Sequence, residues 1–404
     1  MAFKIIEDGN ITSVPGFAAG SAHCGLKNSG KPDICIIYSP SGSVCSGVFT
    51  TNSFRAAPVI IDMESLDNNN NIKAVTVNSG IANACTGGQG MKNGRHMQQI
   101  TADALGIDRG QVLVASTGII GKQLPMDKLE SGIKASASAM ADDGGDEAAR
   151  AIMTTDLAQK KIAVELTADK GRKVTIGGMA KGSGMIKPDM ATMLAFIGTD
   201  AKVERDTLDR ILKQANKTSF NSISVDGCQS TNDSVFLMAN GLSGLNIGEE
   251  SIYYKGFAEA VTFVMQELAK KIVMDGEGAT KFIEISVSGA RDDAEAGRAA
   301  MTIADSNLFK TAMFGQDLNW GRINAALGAS GCGLDPDKVD ISVGGRMIVK
   351  NGTGLDVDKK AAKELLEPQN IKISIDLRNG NGGWTVWTSD LSFDYIKINA
   401  LYHN

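Results

Sequence analysis

Apolar positions along this chain fall into short runs, some alternating and some at helical spacing, separated by polar or glycine-rich stretches. Residues 72–77 predict a strand ending in a turn at Asn78-Ser79-Gly80. Met97, Ile100, Ala104 and Leu105 then recur as one face of a helix. Residues 111–115 predict another strand, with a turn at Ser116-Thr117-Gly118. Residues 162–166 and 173–176 predict a strand pair joined through Ala168-Asp169-Lys170-Gly171. The clearest helix carries Phe257, Val261, Val264, Met265, Leu268 and Ile272 on one face. It stops at Asp275-Gly276, where a glycine past the last turn suits a helix end. Residues 282–287, 339–349, 371–377 and 384–387 add β structure, and 68–71 form a polar loop. This is a mixed α/β chain with hairpins and meanders, not a strict βαβ series. No fixed repeat and no linker marks a domain boundary.

Composition narrows the class. The 41 basic and 46 acidic residues leave a net charge of −5, with 43% hydrophobic residues, which excludes a disordered chain. Mild acidity without a basic block argues against nucleic acid and anionic membrane as partners. No run approaches the ~18 apolar residues of a membrane-crossing helix. The segment Met1 to Asp8 meets acid too early for a secretory leader and lacks transit-peptide bias. Six cysteines form no C-x-x-C pair and have no histidine at zinc spacing, so we expect reduced cytoplasmic thiols and no metal. A length of 404 residues exceeds one ordinary core, predicting two domains or layers. The 46 glycines, against roughly 7% in an average protein, predict tight turns and close backbone approaches. Only His23, His96 and His403 are available for a histidine mechanism, and none has a recognisable setting. Any catalytic base is therefore expected elsewhere.

The most unusual stretch runs Gly177-Gly178-Met179-Ala180-Lys181-Gly182-Ser183-Gly184-Met185-Ile186-Lys187-Pro188-Asp189-Met190-Ala191-Thr192-Met193-Leu194. It opens glycine-rich and turns apolar around a single threonine. A glycine cluster lets backbone approach a ligand, but no G-x-x-x-x-G-K-[ST] phosphate loop is present. Composition alone predicts a flexible hairpin followed by a buried strand or helix.

Residues 181–194 match the pattern K-G-S-G-M-I-x-P-x-M-A-T-M-L and so resemble the signature of the ornithine acetyltransferase family, the glutamate N-acetyltransferases of arginine biosynthesis. Further blocks resemble that family in its order: Asn78-Ser79-Gly80 through Gly87, Ala115-Ser116-Thr117-Gly118-Ile119-Ile120-Gly121, Ile152-Met153-Thr154-Thr155-Asp156, Val225-Asp226-Gly227, Ser230-Thr231-Asn232-Asp233, Asp275 through Lys281, and Asn319-Trp320-Gly321-Arg322-Ile323.

The resemblance implies an αββα sandwich and self-cleavage between Ala191 and Thr192, giving an alpha chain of residues 1–191 and a beta chain of 192–404. It implies that the Thr192 hydroxyl is the nucleophile and its new α-amine the base. An α-amine pKa of ~8 suits a base at neutral pH, and the β-branch of threonine restricts its hydroxyl. The implied reaction is ping-pong acetyl transfer from N-acetylornithine to glutamate, with Thr117 and Gly118 as the oxyanion hole. Implied substrate-binding residues are Thr155, Lys181, Thr192, Glu277, Asn399 and Asn404. Thr154 beside Thr155 leaves that register open by one. No cofactor is implied; acetyl-CoA remains open as a second acetyl donor. The family suggests a cytoplasmic heterotetramer of two alpha and two beta chains. Departures from its pattern are Ile81 for Asn, Cys228 for Asp, and Asn404 for Thr or Ser. Two rivals stand beside this reading: a self-processing amidase or aminopeptidase, and an uncleaved small-molecule-binding protein.

Overall fold

The strands divide their apolar residues between two faces, and that division sets the layers. In the computed structural model, which describes residues 3–168, 171–187 and 193–401, the strand Ile34–Phe49 is 16 residues long. Its first part pairs antiparallel with Ile72–Ile81 and its last part with Ser234–Ala239, with a register shift between Tyr38 and Ser43. One nine-stranded sheet thereby spans two layers. Cys35, Ile37, Val75, Val77, Leu113 and Ala115 pack inward against Leu194, Phe196, Phe236 and Met238. Their neighbours in sequence, Ile34, Ile36, Ala74, Val112 and Val114, face outward onto helical Met97, Ile100, Leu129 and Ile133. On the other side Val164, Ile176, Ala195, Ile197, Val235 and Leu237 meet helical Ile211, Leu212, Val261, Val264 and Leu268. Period-two alternation thus builds helix, sheet, sheet, helix, the αββα sandwich expected.

A seven-stranded sheet built mainly from residues 282–389 carries a separate core with helices Asp293–Ala304 and Asn307–Phe314. It is joined to the sandwich through Ile223–Ser224, which pairs with Gly382–Ser389.

The helix Tyr254–Met274 and the strand pair Lys160–Thr167 with Lys173–Lys181 agree with the apolar pattern. The turns expected at 78–80 and 116–118 do not form. Those residues extend Ile72–Ile81 and Val112–Ile119 as parallel partners, Asn78 opposite Ser116 and Gly80 opposite Gly118. The ladder continues past the apolar run because each strand supplies the other's backbone partners. Gly177 and Gly178 lie within the strand Lys173–Lys181, which pairs antiparallel with Lys160–Thr167 before it and with the buried strand Leu194–Thr199 after it; a Cβ on Gly177 would come 2.3 Å from the Asn10 carbonyl oxygen.

Strands Lys173–Lys181 and Leu194–Thr199 are antiparallel neighbours, with Lys181 opposite Leu194. Residues 1–191 and 192–404 are therefore not two folding units, since both contribute strands to the same sheet. Ala191, Thr192 and Asn404, and the turn residues Asp169 and Lys170, lie outside the described residues.

Candidate active site

Four loop or strand ends converge on one cavity of about 250 Å3, lined by Thr117, Gly118, Ile120, Thr154, Thr155, Lys181, Gly184, Met185, Glu277 and Asn399. Every described residue expected from the sequence to hold substrate or an oxyanion is in this lining. Ile81 and Cys228 are not, although both flank blocks near it.

Thr117 and Gly118 end the strand Val112–Ile119. Gly118 has φ +124°, and a Cβ there would lie 2.3 Å from the Gly80 carbonyl carbon. Only glycine permits both the angle and the contact. Lys181, 2% exposed, ends its own strand and donates from Nζ to Thr154 Oγ1 at 2.8 Å and Thr117 Oγ1 at 3.2 Å. Burial lowers its pKa, opposed by the Asp156 carboxylate, while Lys160 lowers it further. The open register thus has a geometric answer for the lysine contact: Thr154 makes it, while Thr155 also lines the cavity.

Glu277 follows the helix Tyr254–Met274. Its N–H donates to the Ser183 carbonyl at 2.9 Å, and its carboxylate accepts from Asn399 Nδ2 at 2.9 Å. Asn399 sits on the helix Phe393–Leu401. A Cβ on Gly184 would lie 2.3 to 2.7 Å from the Glu277 carboxylate atoms, so this glycine lets the acid reach the cavity. Asp226 fixes the same rim, accepting from Met185 N–H at 2.6 Å, Ile186 N–H at 2.9 Å and Tyr395 Oη at 3.2 Å.

Several contributors escaped the sequence reading. Asp156 and Asp275 fell inside recognised blocks but had no assigned role. Lys160 carried no signal at all, because a lysine opening a strand reads as solvated. Asp233 is buried; its Oδ1 accepts from Met193 N–H at 2.9 Å, its Oδ2 has no partner among the described residues, and burial pushes its carboxyl well above the usual range.

Chemically, the cavity presents a cation and a carboxylate. Thr117 Oγ1 accepts from the lysine, which has donors only, so its own proton is free for a ligand oxygen. Among the described residues no group of three or more His, Cys, Asp or Glu side chains is placed to hold a metal ion, and no helix is long and apolar enough to cross a membrane.

The ArgJ family model matches residues 18–404. The arginine biosynthesis bifunctional protein ArgJ 1 of Clostridium acetobutylicum is 47% identical over 406 residues, covering 99% of each chain. The bifunctional ArgJ of Thermotoga neapolitana is 48% identical, covering 96% of this chain and 98% of the relative. A crystal structure of ArgJ from Bacillus halodurans is 41% identical with a TM-score of 0.50, and covers 51% of this chain and 98% of that one.

Proposed function

The chain belongs to the ArgJ family, and from that premise we propose how its cavity serves acetyl transfer in arginine biosynthesis. The protein is an acetyltransferase of that pathway. In the proposed mechanism it moves acetyl from N-acetylornithine to glutamate in two half-reactions.

Thr192 first attacks the Ala191 carbonyl carbon through its hydroxyl. The acyl group passes from nitrogen to oxygen, which breaks the peptide C–N bond and frees the Thr192 α-amine; water then hydrolyses the ester, releasing the Ala191 carboxylate and the Thr192 hydroxyl. Leu194, which follows Thr192 by two positions in the sequence, pairs with Lys181 at the cavity wall, and this supports the assignment. The length relation with the Bacillus halodurans chain, nearly all of it covered by about half of this one, supports a two-fragment enzyme.

In the first half-reaction the Thr192 hydroxyl attacks the acetyl carbonyl and the α-amine accepts its proton. Thr117 Oγ1 and the Gly118 N–H donate to the oxyanion. The intermediate collapses, and the departing ornithine amine takes the proton from the α-ammonium. In the second, the glutamate amine attacks the acyl-threonine, the α-amine receives its proton, and the Thr192 oxygen is reprotonated as it leaves. Lys181 pairs with a substrate carboxylate and Glu277 with the ornithine ammonium; Thr155, Asn399 and Asn404 complete substrate binding. The observation that carries this reading is the buried Lys181 ammonium and the Glu277 carboxylate on one small cavity beside the Thr117 hydroxyl.

The same reading has acetyl-CoA as an alternative donor substrate, no cofactor, a heterotetramer of two alpha and two beta chains, and a cytoplasmic location. Thr192→Ala tests its centre. Wild-type protein should give two fragments, one beginning Thr-Met-Leu-Ala, and glutamate-dependent acetyl transfer. The variant should remain one chain without transfer; a cleaved or active variant overturns the mechanism.

A further inference from the structure

One buried ammonium ties together three cavity walls that lie far apart in sequence. Lys160 is 1% exposed. Its Nζ donates to Asp156 Oδ1 at 2.6 Å and to Asp275 Oδ2 at 2.5 Å. Neither acid serves the lysine alone. Asp156 also accepts from the N–H of Thr154 at 2.9 Å and of Gly182 at 2.8 Å, and lies 4.0 Å from Lys181 Nζ. Asp275 accepts from the N–H of Leu157 at 3.0 Å and of Ala158 at 3.3 Å. Its carbonyl accepts from Ser183 Oγ at 2.6 Å, and the Ser183 carbonyl holds the Glu277 N–H. The charge chain Asp275–Lys160–Asp156 therefore connects the turn bearing Thr154 and Thr155, the strand end bearing Lys181, and the helix end bearing Glu277.

Stability does not account for this arrangement. Two acids and a lysine taken out of water pay a large desolvation penalty, and apolar replacements of such buried groups are often neutral or stabilising. What the charges do supply is geometry, because each acid holds backbone donors of cavity-lining segments or of their neighbours.

We propose that Lys160 is a positioning residue for substrate binding, locking the Thr154, Lys181 and Glu277 walls in register through Asp156 and Asp275. It touches no substrate. Asp275 lies beyond position 192, whereas Lys160 and Asp156 precede it, so the lock also crosses between the two fragments of the proposed mature enzyme. Burial alone would raise the Asp156 carboxyl, yet the Lys181 and Lys160 ammoniums hold it well below the usual carboxylate range.

The inference rests on the cavity being the acetyl-transfer site, and the test separates the two. Full-length wild type and Lys160→Met are assayed for acetyl transfer from N-acetylornithine to glutamate, with rates expressed per cleaved chain. Loss of register among binding groups should raise KM for both substrates about tenfold or more while kcat stays within about threefold. A purely structural lysine would lower thermal stability and leave both constants unchanged, and that result overturns the proposal, as does a fall confined to kcat. Should Lys160→Met not fold, Asp275→Asn is read instead. It keeps an acceptor for the Leu157 and Ala158 N–H groups and removes the charge; a raised KM supports the lock and unchanged constants overturn it. Wild-type protein without transfer would sink the functional reading itself.

Discussion

Gly118→Ala probes the point where backbone geometry and proposed chemistry meet. Gly118 has φ +124°, and an added Cβ would meet Gly80 carbonyl carbon, oxygen and Cα at 2.3, 2.6 and 2.7 Å. These are backbone atoms of a paired strand, so no side chain can swing aside. Non-glycine residues in such a region cost about 1–3 kcal/mol, and overpacking adds typically ~1–3 kcal/mol. The sum, roughly 2–6 kcal/mol, is a large part of the ~5–15 kcal/mol that holds a typical protein folded. Gly106→Ala is the control. Gly106 also has a positive φ, +66°, but nothing lies within 4 Å of its Cβ position, and it caps the helix Gly87–Leu105 and does not line the cavity. That variant carries only the conformational cost, roughly 1–2 kcal/mol. Guanidinium unfolding should place Gly118→Ala clearly below Gly106→Ala. Acetyl transfer by its folded fraction should fall about 10²–10³-fold as the N–H leaves its position, the usual loss for one oxyanion donor. Equal midpoints for the two variants, with transfer intact in both, would refute the close-approach argument.

Two other outcomes follow from the same structure. Thr117→Ala removes the hydroxyl that accepts from Lys181 and should lower kcat about 10²–10³-fold with a much smaller change in KM; steady-state kinetics matching the parent would remove Thr117 from the oxyanion hole. Lys310 is fully buried against Thr388 and Ser389, and burial lowers its pKa from 10.5 to about 8. Between pH 8 and 10.5 the unfolded chain binds this proton more than the folded one does, so this group's contribution to stability rises with pH, by on the order of 3 kcal/mol across the window. The stability difference between wild type and Lys310→Met should therefore shift toward wild type over that range, and a pH-independent difference would contradict the burial argument.

How much was legible beforehand varied with the range of the interaction. The helix ending at Met274 and the strand pair at 160–181 were readable because an apolar period is a local property. The glycine turns at 78–80 and 116–118 were misread for the complementary reason. Glycine signals freedom, and only the partner strand reveals that these two glycines are pressed together.

By itself the sequence determined the family, through ordered motif blocks, and with it the residues assembled around the cavity. Tertiary structure decided which threonine meets Lys181, the close approach of Gly118 to Gly80, and the burial of Lys160. Lys181 reaches Thr117 across 64 positions, Lys160 reaches Asp275 across 115, and Asn399 reaches Glu277 across 122. Contacts at such separations leave no period in the chain. They exist only once a bent strand and two packed layers have brought distant loop ends to one point, and burial there turns ordinary charged side chains into an ordered network.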